Sequence, residues 1–229
     1  MRMIDRRTLF GLGSVAAVWL ATGCTPGGSP SDSPSPSGSS AASPSGRGPM
    51  LSIAQGTVGS VGAARVGYVG RDAGADRVSI WRDGDESGLE SSVGLGDGEW
   101  AFIGGECWRT SRLEARNGRT FVGFDPVLTR VASPPEEAGL LYVARDGDDT
   151  AAIARVGTLN RLQVTELTAR TAVLRHWKGV YRPEEPGERT VLRVGSVIAM
   201  GKVSLTVTRL QPTLDRLRGF VQVEGKRSR

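Results

Sequence analysis

The chain has one histidine, two cysteines and three lysines among 229 residues, and aromatic side chains make up only 6% of it. A metal centre built from several His or Cys ligands cannot be assembled from so few. A Ser–His–Asp triad would have to use His176, yet no Gly-x-Ser-x-Gly elbow lies in the body of the chain. His176, in Leu174-Arg175-His176-Trp177, therefore reads as a structural strand residue. Gly94-Leu95-Gly96-Asp97-Gly98 is not a phosphate loop, since no Walker lysine or opening helix follows. No apolar run approaches the roughly 20 residues that a membrane-crossing helix needs. Nor does any stretch sustain a capped 3.6-residue apolar stripe, which argues against amphipathic helices. No cofactor and no metal is expected, and no catalytic residue can be named.

What is present begins with an export signal. Arg2, Arg6 and Arg7 form a basic region, Leu9 to Leu20 an apolar run, and Ala21-Thr22-Gly23 a small-residue site before Cys24. That layout is a cleaved signal, residues 1–23, and not a spanning helix. Asp5-Arg6-Arg7-Thr8-Leu9-Phe10 resembles a twin-arginine export signal, with Arg6 and Arg7 as its pair. Ala21-Thr22-Gly23-Cys24 resembles the lipobox of bacterial lipoproteins, although Ala21 stands where the family most often has leucine. The resemblance implies that Cys24 is acylated and becomes the mature N-terminus. Two acyl chains suffice for stable anchoring, each buried CH₂ adding about 0.8 kcal/mol. The lipid bilayer, reached through Cys24, is thus the first expected partner, and the extracytoplasmic face of the membrane the expected location.

Residues 24–49 carry the lipidated cysteine and a Ser/Pro/Gly linker with no large apolar side chain. Such a segment cannot bury enough surface to offset its ordering entropy and is expected to be disordered. Its r.m.s. span would be roughly 28 Å, enough to hold a folded body off a bilayer. Beyond the signal the chain has 26 basic and 23 acidic side chains, which alternate in sign. No nucleic-acid partner is expected from that pattern. Arginine outnumbers lysine 26 to 3, which reflects a GC-rich genome as much as surface chemistry. With Cys24 acylated, Cys107 has no partner in the chain and reads as a buried strand residue.

The body reads as all-β. Arg65–Val69, Arg77–Trp81, Trp100–Ile103 and Thr120–Phe124 alternate apolar and polar residues. Asp83-Gly84, Asp97-Gly98, Gly104-Gly105, Asn117-Gly118 and Asp146-Gly147 are turn signals, Asn117-Gly118 being a type I′ hairpin pair. Leu159 to Trp177 contains β-branched runs that fit strands. Asp83-Asp85-Glu86 and Asp146-Asp148-Asp149 lack the spacing of a calcium loop and read as turn residues.

The pattern also recurs. Leu95-Gly96-Asp97, Gly104, Trp108, Arg112-Leu113 and Arg119–Phe124 match Val194-Gly195-Ser196, Gly201, Leu205, Arg209-Leu210 and Arg218–Val223. Val58–Val61 with Arg65-Val66 echoes Val156–Leu159 with Arg161-Leu162, and Val78–Trp81 echoes Val173–Trp177. Two related small antiparallel β domains, barrel- or sandwich-like and each of about five strands, are expected over 50–130 and 138–225, with 226–229 a basic tail. Ser133-Pro134-Pro135 separates them, since two prolines in succession break any central strand. Trp108 and Leu205, and Phe121 and Phe220, should hold equivalent inward positions. This arrangement resembles small β domains of actinobacterial exported proteins, a resemblance that brings no activity with it.

The expected function is that of a membrane-anchored cell-envelope lipoprotein, non-catalytic, serving binding or scaffolding, with an envelope protein or glycan as partner. An envelope carbohydrate-active enzyme using carboxylates, or an accessory subunit of a membrane complex, are the alternatives. The former requires two carboxylates about 5–9.5 Å apart in a cleft. Trp81, Trp100, Trp108 and Trp177 could be core residues or aromatic platforms for a ligand.

Overall fold

Side chains that alternate between apolar and polar can share one buried face only in an extended strand. In the computed structural model, which describes residues 50–72, 74–145, 152–179, 181–182 and 184–228, this alternation yields sixteen strands and no helix. The first eight are β1 (Leu51–Ala54), β2 (Val58–Val61), β3 (Ala64–Asp72), β4 (Ala75–Trp81), β5 (Leu89–Leu95), β6 (Trp100–Ile103), β7 (Glu106–Arg116) and β8 (Arg119–Pro126). The second eight are β9 (Gly139–Tyr142), β10 (Ala154–Val156), β11 (Asn160–Leu167), β12 (Ala172–Lys178), β13 (Glu188–Leu192), β14 (Val197–Met200), β15 (Val203–Gln211) and β16 (Phe220–Arg227). The signal with Arg6 and Arg7, Cys24, the linker and the Asp146–Asp149 cluster lie outside the described residues.

The protein is all-β and antiparallel, in three sheets that do not close into a barrel. Their strand orders are β1-β8-β7-β6, β13-β12-β11-β10-β5-β4-β3-β2 and β14-β15-β16-β9. Adding eight to each strand number of the first half reproduces the order of the second. Register agrees as well. Gly98 N donates to the Thr110 carbonyl at 2.9 Å, and Gly195 N to the Val207 carbonyl at 2.8 Å. Bulges interrupt the pairing after Tyr68 in β3 and after Val164 in β11.

Both four-stranded sheets pack on one face of the eight-stranded sheet. Along β5, Leu89, Ser91, Val93 and Leu95 point to that face; Val93 and Leu95 join the first core, Leu89 the second. Each half is therefore a sandwich, and the wide sheet is common to both. Tyr142 of β9 and Phe220 of β16 reach across into the first core, and the Tyr142 hydroxyl donates to the Phe102 carbonyl at 2.6 Å.

Several sequence expectations take a sharper form here. Asn117 and Gly118 have φ of 52° and 72°, as a type I′ turn requires, with Arg116 and Arg119 paired across it. Leu159 to Trp177 divides into β11 and β12, with a Thr168–Thr171 turn between them. Each half has eight strands, not about five. Among the extra ones, β1, β2, β9 and β10 have only three or four residues and carry little alternation of their own. Three repeat alignments also move: the bulge after Val207 in β15 sets Arg209-Leu210 in register with Ser111-Arg112 and not with Arg112-Leu113. Gly195 corresponds to Gly98, so Leu95 matches Leu192 and not Val194; Val61-Gly62 and not Val58-Gly59 corresponds to Val156-Gly157. The sequence leaves open whether the halves share a sheet; β5 and β10 pair edge to edge, Ser91 opposite Ala154, and so join them in one.

The turn at Gly104 shows how tightly the layers meet. Its φ is +58°, and an added Cβ would lie 2.4 Å from the Ala63 nitrogen, so only glycine fits.

Candidate functional site

The alternation that buries Val78 and Ile80 of β4 sends Arg77, Ser79 and Trp81 to the opposite face of the wide sheet. The same parity places Glu90 and Ser92 of β5, Arg155 of β10 and Arg161 of β11 there. Both small sheets cover the other face, and among the described residues this one is open along the joint between the halves.

At the joint, Arg155 stands directly opposite Glu90 and forms an ion pair with it. Arg161 lies beside Arg155 and donates to the Asn160 carbonyl at 3.1 Å. Burial lowers the Arg161 pKa from its ordinary value, and the Arg155 charge lowers it further, while Glu90 opposes both. Two guanidinium groups are thus crowded around one carboxylate. Depressions of about 390 and 310 Å³ flank the Glu90–Arg155 pair. The first is bounded by Trp81 and Arg82, the second by Arg77, Ser92, Arg161 and Tyr181. Together they form a shallow trough in the size range of small-ligand sites. Its chemistry is cationic donors with aromatic margins, suited to carboxylate, sulfate or phosphate groups.

The four body tryptophans separate in this frame. Trp108 is buried in the first core, where its indole N–H donates to the Ile103 carbonyl at 3.2 Å. Trp81 lies half-buried across the open face above Gly67, where an added Cβ would sit 3.3 Å from the ring. Trp177 is its counterpart in the second half, since it pairs with Arg161 as Trp81 does with Arg65. It is closed over, however. Tyr181 meets it edge-on at 5.1 Å, and its indole N–H donates to the Glu185 carbonyl at 2.9 Å. Trp100 is half-buried on β6.

The other candidates are accounted for by local structure. Cys107 is buried, and desolvation pushes its thiol up to about 11. His176 is buried on the core side of β12, 3.4 Å from the Asn160 amide oxygen. Burial and then Lys178 lower its pKa, with Glu188 opposing. Asp85 accepts from Ser87 N and Oγ at 2.9 and 2.8 Å, as a turn residue does, and Asp83 pairs with Arg65 at 3.7 Å. Asp85 also lines a crevice with Glu136 and Glu137, but its volume of about 50 Å³ is too small for a sugar ring.

The trough was not singled out in the sequence because its arginines resemble composition. Their signal is parity: in Arg77-Val78-Ser79-Ile80-Trp81 every apolar core residue is flanked by an outward polar or aromatic one. That signal shows a solvent face, and only the β5–β10 pairing brings Arg155 and Arg161 onto Arg77. Compared with protein-family models, with curated proteins and with solved structures, the chain has no match in any of the three.

Proposed function

We propose that this chain is a non-catalytic binding module of the cell envelope, held at the extracytoplasmic membrane face by acylated Cys24. Its ligand surface is the open trough of the eight-stranded sheet, and its ligand an anionic envelope polymer such as an acidic glycan. The observation that carries the reading is the crowding of Arg155 and Arg161 around Glu90 between two depressions. A ligand anion added there would relieve the repulsion between the guanidinium groups. Trp81 offers an apolar face to a sugar ring at the margin.

Dextran sulfate, compared with uncharged dextran, tests the ligand class. The full chain is expected to bind the sulfated polymer, more weakly as salt rises. Charge-assisted hydrogen bonds contribute about 1.5–3 kcal/mol each, so Arg155→Gln with Arg161→Gln should weaken binding at least about tenfold. Equal binding of both dextrans, or an unaffected double variant, would refute the assignment.

The anchor has its own test. Cys24→Ala should abolish incorporation of labelled fatty acid and leave the protein soluble or as an uncleaved precursor. Label retained in that variant would exclude Cys24 as the acylated residue. Arg6→Lys with Arg7→Lys should stop export if the route is twin-arginine dependent.

A further inference from the structure

The wide sheet is joined internally by a contact that its two outer edges could repeat. In each half, four consecutive strands form a meander, β2 to β5 and β10 to β13. β5 closes the first meander and β13 the second; β2 opens the first and β10 the second. Inside the chain β5 pairs with β10. At the ends of the sheet the equivalent strands, β13 and β2, pair only inward, with β12 and β3, and their outer edges have no neighbour among the described residues.

The smaller sheets show the same asymmetry. Trp100 of β6 bridges to Leu217, ahead of β16, with Trp100 N donating to the Arg216 carbonyl at 2.8 Å. Its counterpart on β14 is Val197, matched through the shared β6–β7 and β14–β15 register, and Val197 is 61% exposed. Val191 on β13 and Val194 in the following turn are likewise exposed, as is Val58 on β2. Strand β2 reads Val-Gly-Ser-Val, without the charge or proline that ordinarily protects an edge.

We propose that β13 of one chain pairs antiparallel with β2 of a second copy, repeating the β5–β10 joint and extending the sheet head to tail. A contact between two different surfaces of the same chain forms open series unless its rotation closes. The internal register fixes the external one. Ser92 N donates to the Ile153 carbonyl, and Gly157 N to the Gly88 carbonyl. The counterparts of Ser92 and Ile153 are Arg189 and Val58, so these two residues should face each other. Pro186 matches Leu89, whose N–H lies on the side away from β10, so the proline removes no donor from the new joint. The Glu90–Arg155 ion pair has no counterpart, because Gly187 and Ser60 fall at those positions, and Gly187, at φ +65° just ahead of β13, departs from the extended backbone of Glu90. The joint between copies is therefore weaker than the internal one and depends on concentration.

Two experiments on the full chain in detergent solution test this. Val58→Cys combined with Arg189→Cys should, on mild oxidation, give a reducible ladder of dimers, trimers and higher species. A hydrogen-bonded antiparallel pair lies about 5.5 Å apart at Cα, within disulfide reach. Each single variant, and the parent chain with Cys107 buried, should give no ladder. Sedimentation over a concentration series should show an open series, lost in Ser60→Pro while the melting temperature is kept. The absence of a ladder in the double variant, a closed dimer, or a series that survives Ser60→Pro with the fold intact would each overturn the proposal.

Discussion

Arg218→Ala is expected to lower folding stability by about 3–5 kcal/mol, the range for stripping one partner from a buried ion pair. Arg218 is 1% exposed and its partner Glu99 6%. The guanidinium donates from Nε to Glu99 Oε1 at 2.7 Å and from Nη1 to the Val143 carbonyl at 3.1 Å. It also donates from Nη2 to the Gly94 carbonyl and to Glu99 Oε2. These acceptors belong to the end of β5, the β5–β6 turn and the residue after β9, so one side chain ties the three sheets together. Glu99 in turn accepts from Gly96 N at 2.8 Å and pairs with Arg145 at 2.5 Å. Removing Arg218 leaves a buried carboxylate held, among the described residues, by Gly96 N and Arg145, and takes a donor from two carbonyls. A typical domain has roughly 5–15 kcal/mol in total. At about 2–4 °C per kcal/mol for a chain of this size, Tm should fall by roughly 6–20 °C. Arg218→Lys should not restore it, because an ammonium cannot reach the carboxylate and both carbonyls from one plane. Arg218→Met with Glu99→Gln should recover part of the loss, since no buried charge then remains. A loss below about 1 kcal/mol for Arg218→Ala in denaturant titration would show that water or Arg145 replaces it.

Phe220→Ala should cost about 3–5 kcal/mol, and the structurally equivalent Phe121→Ala clearly less. The two positions match in register: Phe121 pairs with Ala54 of β1, and Phe220 with Tyr142 of β9. Phe220 is fully buried and meets Phe102 edge-on at 5.7 Å, with the Arg209 guanidinium 5.6 Å from its ring centroid. It stands where the second half enters the first core. Phe121 is half-buried, with no equivalent body packed over it among the described residues. Trp108 and Leu205 differ less, at 6% and 0% exposure, since each lies inside its own sandwich. Equal destabilisation by Phe121→Ala and Phe220→Ala would mean that the halves pack independently and that the shared core contributes little.

The asymmetry between Phe121 and Phe220 marks the boundary of what the sequence carries. Alternation in β3, β4, β6, β8, β11 and β12 was legible, because a strand's parity depends on nearest neighbours along the chain. So were the Asn117-Gly118 hairpin and the correspondence of Trp81 with Trp177, the first through backbone preference and the second through spacing. Strands β1, β2, β9 and β10 were not, since each is held by its partners more than by a pattern of its own.

The trough shows the same division. Arg77, Arg155 and Arg161 could be assigned to outward positions from parity alone, but their neighbourhood depends on β5 meeting β10, strands about 60 residues apart in the chain. Arg218 gave no sign of burial, as arginine is ordinarily a surface residue; four acceptors from three separated segments were needed to offset its desolvation. The sequence by itself determined an all-β chain of two related halves, because local alternation and turn residues suffice for that. Only the tertiary structure decided that the halves share one sheet, which tryptophan is covered and which edges stay bare among the described residues. Those outcomes follow from pairing between distant strands, whose free energy no local segment contains.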